Sequence, residues 1–550
     1  VATQPRVPAD EDAAQIATLG FDVARLQLSW KAIEPGHAGP NDPAICTPGP
    51  RGDPRQWDQA HADAYLDRVE QVVDALRRHG IGTLFQIAQY GYNDRFGGPP
   101  SHPDWAVCTD GLPITAGRGA TAYTQPGVSA AARHFWENDV RGDLQGEYDR
   151  MLRALAHRFA GRPGVVGYEL YNEPYDARAA TPEAGFDGLV QCFYAGRDDP
   201  GLLADGSRPS CPAGVPQQGA IQAIRAEDAD SVVHVQAHIF TNFAVATRMG
   251  PLPAANLVFN FHVYCLSEVV TQPQRTRAPD CADAEERAVD QAGRTRVAMA
   301  SPREPGALPW FLSEFGYTSN EQTLRHMTEL ADRHHLGWAY FLWRADRGFD
   351  TSDNPGMLRR PDGTLRPAAR ILARPYPAAL AGTPQGMSYD VERRAFELLY
   401  TPAGGATSEI VLPRYTYGAD GACVGAAGAR WRIRGDRLLV VRDAGADRVR
   451  VHVEPGRCGR SSTLPCTSRR QFGIRLHQSA RDPLVRARVL VAGRRAAVRR
   501  HGRRLVALVD LRGRPRQRIV VRIRARTRSG RSVEDRRVYR TCRSARRRAG

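Results

Sequence analysis

Between residues 12 and 370 short apolar runs alternate with amphipathic segments, seven of the runs read as strands, and from about residue 385 the pattern turns to period two without helices. These observations predict an α/β fold, a (β/α)8 TIM barrel, followed by an antiparallel β-sandwich and a small Arg-rich β domain. The first strand is "VARLQLSW" (23–30). In "AYLDRVEQVVDALRRHG" (64–80), Tyr65, Leu66, Val69, Val72, Val73 and Leu76 form one helical stripe, which Gly80 ends. "IGTLFQIAQY" (81–90) is the next strand, and a helix over 144–160 leads into "GVVGYELYNEP". A helix near 219–227 precedes "SVVHVQAHIF"; "NLVFNFHVY" (256–264), "PWFLSEFGY" (309–317), a helix over 320–335 and "GWAYFLWRA" complete the series.

Seven strands leave an eight-stranded barrel one short. The segment "VATQPRVPADEDAAQ" is polar and carries proline, so the first strand is expected upstream of Val1; a seven-stranded open sheet is the alternative. Domain boundaries are placed at 1–375 for the barrel, 376–458 for the sandwich and 466–542 for the basic module, with "GRSSTLPCTS" as linker. In "IVVRIRARTR" arginine alternates with Val, Ile and Ala, which puts the charge on one solvated sheet face.

The formal charge of +17 is unevenly spread. Residues 461–550 hold 28 arginines against Asp482, Asp510, Glu534 and Asp535, a net of +24, so residues 1–460 carry −7. Lys31 is the only lysine, and so general a preference for arginine leaves a plain solvated face as one reading of the basic module. The other reading is an anionic cell-wall or membrane surface bound through residues 466–548. Nucleic acid is not expected, because only Phe472 and Tyr539 interleave the arginines. A monomer is expected.

Ten cysteines bracket local segments as Cys192/Cys211, Cys265/Cys281, Cys423/Cys458 and Cys466/Cys542, with Cys46/Cys108 as a fifth pair. Their spacing suits disulfides rather than zinc. A secreted, extracellular location follows as the expectation, with neither metal nor cofactor. No apolar run approaches the ~20 residues of a membrane span, and a start at Val1 rather than Met reads as processing or truncation.

In a barrel of this kind side chains at the C-terminal ends of the strands converge on one site. Those ends supply Arg25, Asn172 and Glu173, His262 and Tyr264, Glu314, and Trp343. Two strand-end carboxylates are what glycoside hydrolysis requires, one to protonate the leaving oxygen and one opposite it. Glu173 and Glu314 are therefore the candidate catalytic pair. Arg25, Asn172 and His262 are expected to hold sugar hydroxyls and the nucleophile, Tyr264 to hydrogen-bond Glu314, and Trp343 to stack on a sugar ring. Glu169, inside its strand, reads as a structural partner of a neighbouring strand.

"YELYNEP", "FHVY", "FLSEFGY" and "FLWR", in that order, resemble glycoside hydrolase family 5. More narrowly, "LQLSWKAIEPG", "PDWAVCTDGLP" and "PAALAGTPQGMSYD…FELLYTP" look like endoglycoceramidases and their bacterial relatives. The resemblance covers about residues 10–458 and implies a retaining β-glycosidase that cleaves glycan from a ceramide-type lipid. It implies Glu173 as acid/base, Glu314 as nucleophile and Arg25, Asn172, His262, Tyr264 and Trp343 around the substrate. One departure stands out. Where that family shows Asp-Met-His-Gln-Asp at the end of strand three, residues 86–90 here read "QIAQY", with Gln86, Ala88 and Tyr90 at the changed positions. A family 5 enzyme acting on oligosaccharides or other glycosides, or a non-catalytic carbohydrate- or lipid-surface binding protein, are the alternatives.

Overall fold

The computed structural model describes residues 9–49, 57–117, 119–180, 185–271, 277–300, 306–343, 356–456, 458, 471–476, 483–501, 504–512 and 518–540. The chain divides into two compact units, residues 1–458 and 459–550.

In the first unit seven strands occur where the apolar runs predict them: β1 (Val23–Leu28), β2 (Gly82–Ile87), β3 (Val165–Glu169), β4 (Val233–Gln236), β5 (Leu257–Val263), β6 (Trp310–Gly316) and β7 (Gly337–Phe341). They pair in sequence order and all in parallel. At the seam β7 comes back to β1, where the rings of Phe21 and Trp338 meet edge to face at 5.9 Å. The sheet is thus a nearly closed barrel, not an open one. Among the described residues no strand precedes β1; the polar segment there forms a helix, Ala9–Thr18. That helix is tied to the chain beyond β7, Gln15 donating to the Gly363 carbonyl at 3.0 Å and Arg359 pairing with Glu11 at 2.8 Å.

The predicted helices are present as Gln59–Arg78, Leu144–Phe159, Ala220–Arg225 and Glu321–His334. Asp58, Asp143 and Asn320 cap three of them through their side chains, supplying acceptors to otherwise unpaired first-turn N–H groups. Three helices were not legible as stripes: Pro126–Glu137, Phe186–Ala195 and Cys281–Ala298. The first two are buried nearly all round, so they lack the polar face that makes a helix periodic in sequence. The third buries Glu285, Ala288, Ala292 and Thr295, a stripe that hydropathy does not mark.

The sandwich follows without a break. One sheet contains β9 (Gly382–Asp390), β10 (Ala395–Pro402), β15 (Val449–Pro455) and β12 (Ala422–Ala427); the other contains β8 (Tyr376–Ala379), β11 (Ser408–Val411), β14 (Arg437–Arg442) and β13 (Ala429–Arg434). A helical turn, Arg414–Tyr417, interrupts the expected all-β pattern. Between the sheets lie Phe396, Leu398, Tyr400, Ile410, Leu438, Val440, Val451 and Val453. Polar contacts fix the sandwich to the barrel: the Tyr376 hydroxyl donates to the Gly20 carbonyl at 2.7 Å, and Arg374 forms a buried pair with Asp332. Gly20 itself is required, since it has φ +82° and a Cβ there would lie 2.7 Å from Pro413.

Four of the expected disulfides are formed, Cys46–Cys108, Cys192–Cys211, Cys265–Cys281 and Cys423–Cys458. The pair Cys466/Cys542 and the "GRSSTLPCTS" linker lie outside the described residues. No helix among the described residues is long and apolar enough to cross a membrane.

The second unit has two antiparallel sheets. The smaller joins β16 (Gln471–Arg475), β20 (Arg504–Asp510) and β19 (Val498–His501); the larger runs β18 (Arg494–Ala496), β17 (Leu484–Val491), β21 (Arg518–Thr527), β22 (Ser532–Arg540). Val489, Val491, Val509, Ile519, Val521 and Ile523 form its core.

Candidate active site

Arg25 organises the barrel interior. It was expected at a strand end, but β1 spans Val23–Leu28, and Arg25 is its third residue. Its long side chain makes up the difference. Nε and Nη2 donate to the two oxygens of Glu169 at 2.7 Å each, Nη1 donates to Glu314 Oε2 at 2.9 Å, and Nη2 also reaches Asn172 Oδ1 at 2.8 Å. Burial works against the charged guanidinium, but Glu169 and then Glu314 raise its pKa above the usual arginine value. Burial likewise opposes ionisation of Glu169, and Arg25 outweighs it, leaving that carboxyl below its usual range. Glu169 is therefore the last residue of β3 and the partner of a strand two places away, not of its neighbour.

Glu314, on β6, has donors on both oxygens. Arg25 binds Oε2, and the Tyr264 hydroxyl, just past β5, donates to Oε1 at 2.6 Å. This is the Tyr264–Glu314 bond expected from sequence. Glu173 is held differently. The Asn242 amide donates to its Oε1 at 2.6 Å, and His262 Nδ1 faces the same atom at 2.7 Å. Oε2 of Glu173 makes no hydrogen bond among the described residues. The backbone at Glu173 is left-handed, with φ 46°. Gln236 accepts from its N–H at 2.9 Å and Gln89 donates to its carbonyl at 2.9 Å, contacts that hold a conformation unfavourable for a side-chain-bearing residue.

His262 thus contacts Glu173 directly, with Nε2 3.4 Å from Arg25 and 3.9 Å from Glu314. Asn172 is spanned from both sides, its Nδ2 donating to the Gln89 carbonyl at 2.8 Å while Oδ1 accepts from Arg25. Trp343 makes no hydrogen bond to this cluster among the described residues; its indole N–H donates to Asp12 Oδ1 at 3.1 Å. Gln89, Gln236 and Asn242 were missed from sequence. Gln236 had a signal, because His234 and Gln236 alternate with Val233 and Val235 in a buried strand, which aims them at the barrel interior. Asn242 lies in the turn after β4 and had none.

Tyr90, at a changed position of "QIAQY", borders the pair. Burial first, then the Glu173 charge, Tyr317 and Glu314, push its phenol pKa up. Its ring packs against Tyr123 at 5.0 Å, and its hydroxyl makes no hydrogen bond among the described residues. Ala88, by contrast, is a buried methyl.

One oxygen of Glu173, one of Glu314 and a ring nitrogen of His262 lie within 4.8 Å of one another. The set is a poor cation site, because the Arg25 guanidinium stands among those atoms with its charge fixed. Cys265 and Cys281, near Asp280, are joined as a disulfide and offer no thiolate.

The sequence family described as Cellulase (glycosyl hydrolase family 5) matches residues 2–347, and the Glycoside hydrolase family 5 C-terminal domain matches residues 374–453. The chain belongs to glycoside hydrolase family 5. Its barrel is a glycoside hydrolase domain, and the reading as a non-catalytic binding protein is set aside. Within the family the chain is similar to endoglycoceramidase I of Rhodococcus hoagii (strain 103S), at 28% identity over 477 residues that cover 83% of each chain. Among solved structures it is similar to endo-glycoceramidase II from Rhodococcus sp. in its lactosyl-enzyme intermediate, with TM-score 0.59, 25% identity and coverage of 81% of this chain and 91% of that one. Sterylglucosidase 1 of Cryptococcus neoformans shares the fold, with TM-score 0.57, 14% identity and coverage of 82% and 88%.

Proposed function

We propose that this family 5 hydrolase is a retaining β-glycosidase that cleaves a glycolipid between glycan and lipid, releasing the glycan from a ceramide-type aglycone. The observation that carries the reading is the unequal setting of two carboxylates whose oxygens lie within 4.8 Å. Retaining enzymes place the pair ~5–5.5 Å apart, close enough for direct attack, whereas inverting enzymes leave room for water. Arg25 and Tyr264 hydrogen-bond both oxygens of Glu314 and so hold that carboxyl in one orientation for attack, as a nucleophile requires. Glu173 Oε2 has no hydrogen bond among the described residues, so a proton there can be directed at a glycosidic oxygen.

In the first step a Glu314 oxygen attacks the anomeric carbon as the glycosidic bond breaks, and Glu173 gives its proton to the departing lipid alcohol. In the second, Glu173 takes a proton from water as that water attacks the anomeric carbon and Glu314 leaves. The similar Rhodococcus enzyme solved as a lactosyl-enzyme intermediate supports a covalent route, and the likeness to endoglycoceramidase I supports the lipid aglycone. Tyr90 and Trp343 are assigned to the substrate, and the four disulfides favour an exported protein.

A second reading, hydrolysis of an oligosaccharide or another glycoside, is favoured by the end of β2, where Gln86, Ala88 and Tyr90 are all uncharged. Incubation with a fluorescent-lipid glycosphingolipid separates the two. Intact glycan released by wild type and not by Glu314→Gln, with the β-anomer as first product by NMR, supports the glycolipid reading. Stepwise release of monosaccharides overturns it.

A further inference from the structure

The outer face of the larger sheet in the second unit carries a grid of like charges that the barrel's chemistry does not use. Along β21, Val521, Ile523 and Ala525 are buried while Arg522, Arg524 and Arg526 are exposed. The register places Arg526 opposite Arg486 and Arg524 opposite Arg488 on β17, and Arg522 opposite Arg536 on β22. Arg495 of β18 joins the same face opposite Leu490. Among the described side chains, seven arginines therefore share one face with one acid, Glu534, which pairs with Arg524 at 2.8 Å. Like charges directly opposite one another weaken a sheet, and neighbouring strands ~4.8 Å apart hold them well inside a Debye length. The three Arg–Arg pairs among the described side chains of this sheet are a standing cost that an anionic partner would remove.

We propose that this face docks on an anionic lipid bilayer. The charges spread over four strands as a plane instead of lining a groove, which matches a planar array of phosphate headgroups better than a single rod of charge. Guanidinium groups suit phosphate oxygens by their forked geometry. Half-buried Leu490 and Val520 lie among the arginines on the same face, apolar contacts for the boundary beneath the headgroups. A nucleic-acid strand has no stacking platform here: Phe472 and Tyr539 pack on each other at 5.1 Å and against the core. The inference holds whichever glycoside the barrel cleaves.

The test is co-sedimentation of the full chain with vesicles of phosphatidylcholine alone or with roughly one-third phosphatidylserine. Binding to the anionic vesicles should exceed that to neutral ones by about tenfold or more and fall as salt is raised. Arg522→Gln, Arg524→Gln and Arg526→Gln together should abolish most of it, while the three Arg→Lys changes retain it. Hydrolysis of a soluble glycoside should be the same in all three proteins. Should the Gln variant melt early, the Lys variant and the salt series decide. Equal binding to neutral vesicles, a folded Gln variant that binds like wild type, or retention on duplex DNA without anionic-vesicle binding would overturn the proposal.

Discussion

Arg25 and Glu169 are joined by two hydrogen bonds of 2.7 Å inside the barrel, and the same guanidinium reaches Glu314 at 2.9 Å. Glu169 binds the same guanidinium that hydrogen-bonds Glu314, and so fixes the cation beside it. Breaking a buried ion pair costs ~3–5 kcal/mol, and here Glu314 remains as a second counter-charge to Arg25, which puts the cost at the low end. Glu169→Gln should therefore lose about 3 kcal/mol of stability in urea unfolding and about 10- to 100-fold in kcat, with KM nearly unchanged. A variant with wild-type kcat would show that Arg25 is positioned without Glu169.

The leaving group should reveal the role of Glu173. In Glu173→Ala, kcat/KM on a lipid glycoside is expected to fall by about 10³-fold. A dinitrophenyl glycoside needs no protonation to leave, so its first step should fall by less than about tenfold. Stopped-flow release of dinitrophenol measures that step; equal losses on both substrates would remove Glu173 from the acid role.

Glu34 makes the fold lose stability as pH rises from about 4.5 to about 8. Burial raises its carboxyl to about 8, against a contribution from the Trp30 N–H that lowers it, and with the Glu147 charge adding to the rise. A folded pKa above the unfolded value of 4.5 means that the contribution is full below pH 4.5 and is lost as pH rises through about 8. The melting temperature of wild type should decline between about pH 5 and pH 8 and level off above that, and that of Glu34→Gln should decline less. At the acid end Asp104 acts with the opposite sign. Burial opposes its ionisation, but Arg95, Lys31 and Asn93 bring it to about 2. Its contribution is present above the unfolded value of 3.8 and is lost as pH falls through about 2.

Tyr90 offers a hydroxyl with no protein hydrogen bond among the described residues, next to both carboxylates. Tyr90→Phe should lower kcat/KM by about tenfold on the natural sugar while leaving the melting temperature unchanged. Among singly deoxygenated substrates, one should be hydrolysed equally by wild type and variant, identifying the sugar hydroxyl concerned. A uniform loss across the series would mean that Tyr90 acts only as a wall.

The strands were legible because a parallel sheet buried on both faces writes continuous apolar runs, and the two glutamates because each closes such a run. Tyr264 was legible by its place two residues beyond His262. Arg25 was expected at a strand end and lies mid-strand, since the reach of a long, flexible side chain is not set by its strand position. Glu169 was assigned to a neighbouring strand because the curvature that brings β1 across to β3 is a property of the closed sheet. Asn242 and Gln89 act on Glu173 through contacts spanning 69 and 84 residues of chain, distances over which local pattern carries no information. The helix Phe186–Ala195 was hidden for the opposite reason, being too uniformly buried to look amphipathic.

Lys31 holds the chain's single side-chain amine. Its ammonium bridges Asp94 at 2.7 Å and Asp104 at 2.5 Å, and its backbone N–H donates to the Ser101 carbonyl at 2.9 Å. A lysine-specific protease consequently has one internal peptide bond to cut, Lys31–Ala32, and it lies within the helical turn Trp30–Ile33. Digestion becomes a one-site clock: the rate at which two fragments appear reports how often the first loop above the barrel opens, with no label introduced anywhere in the molecule.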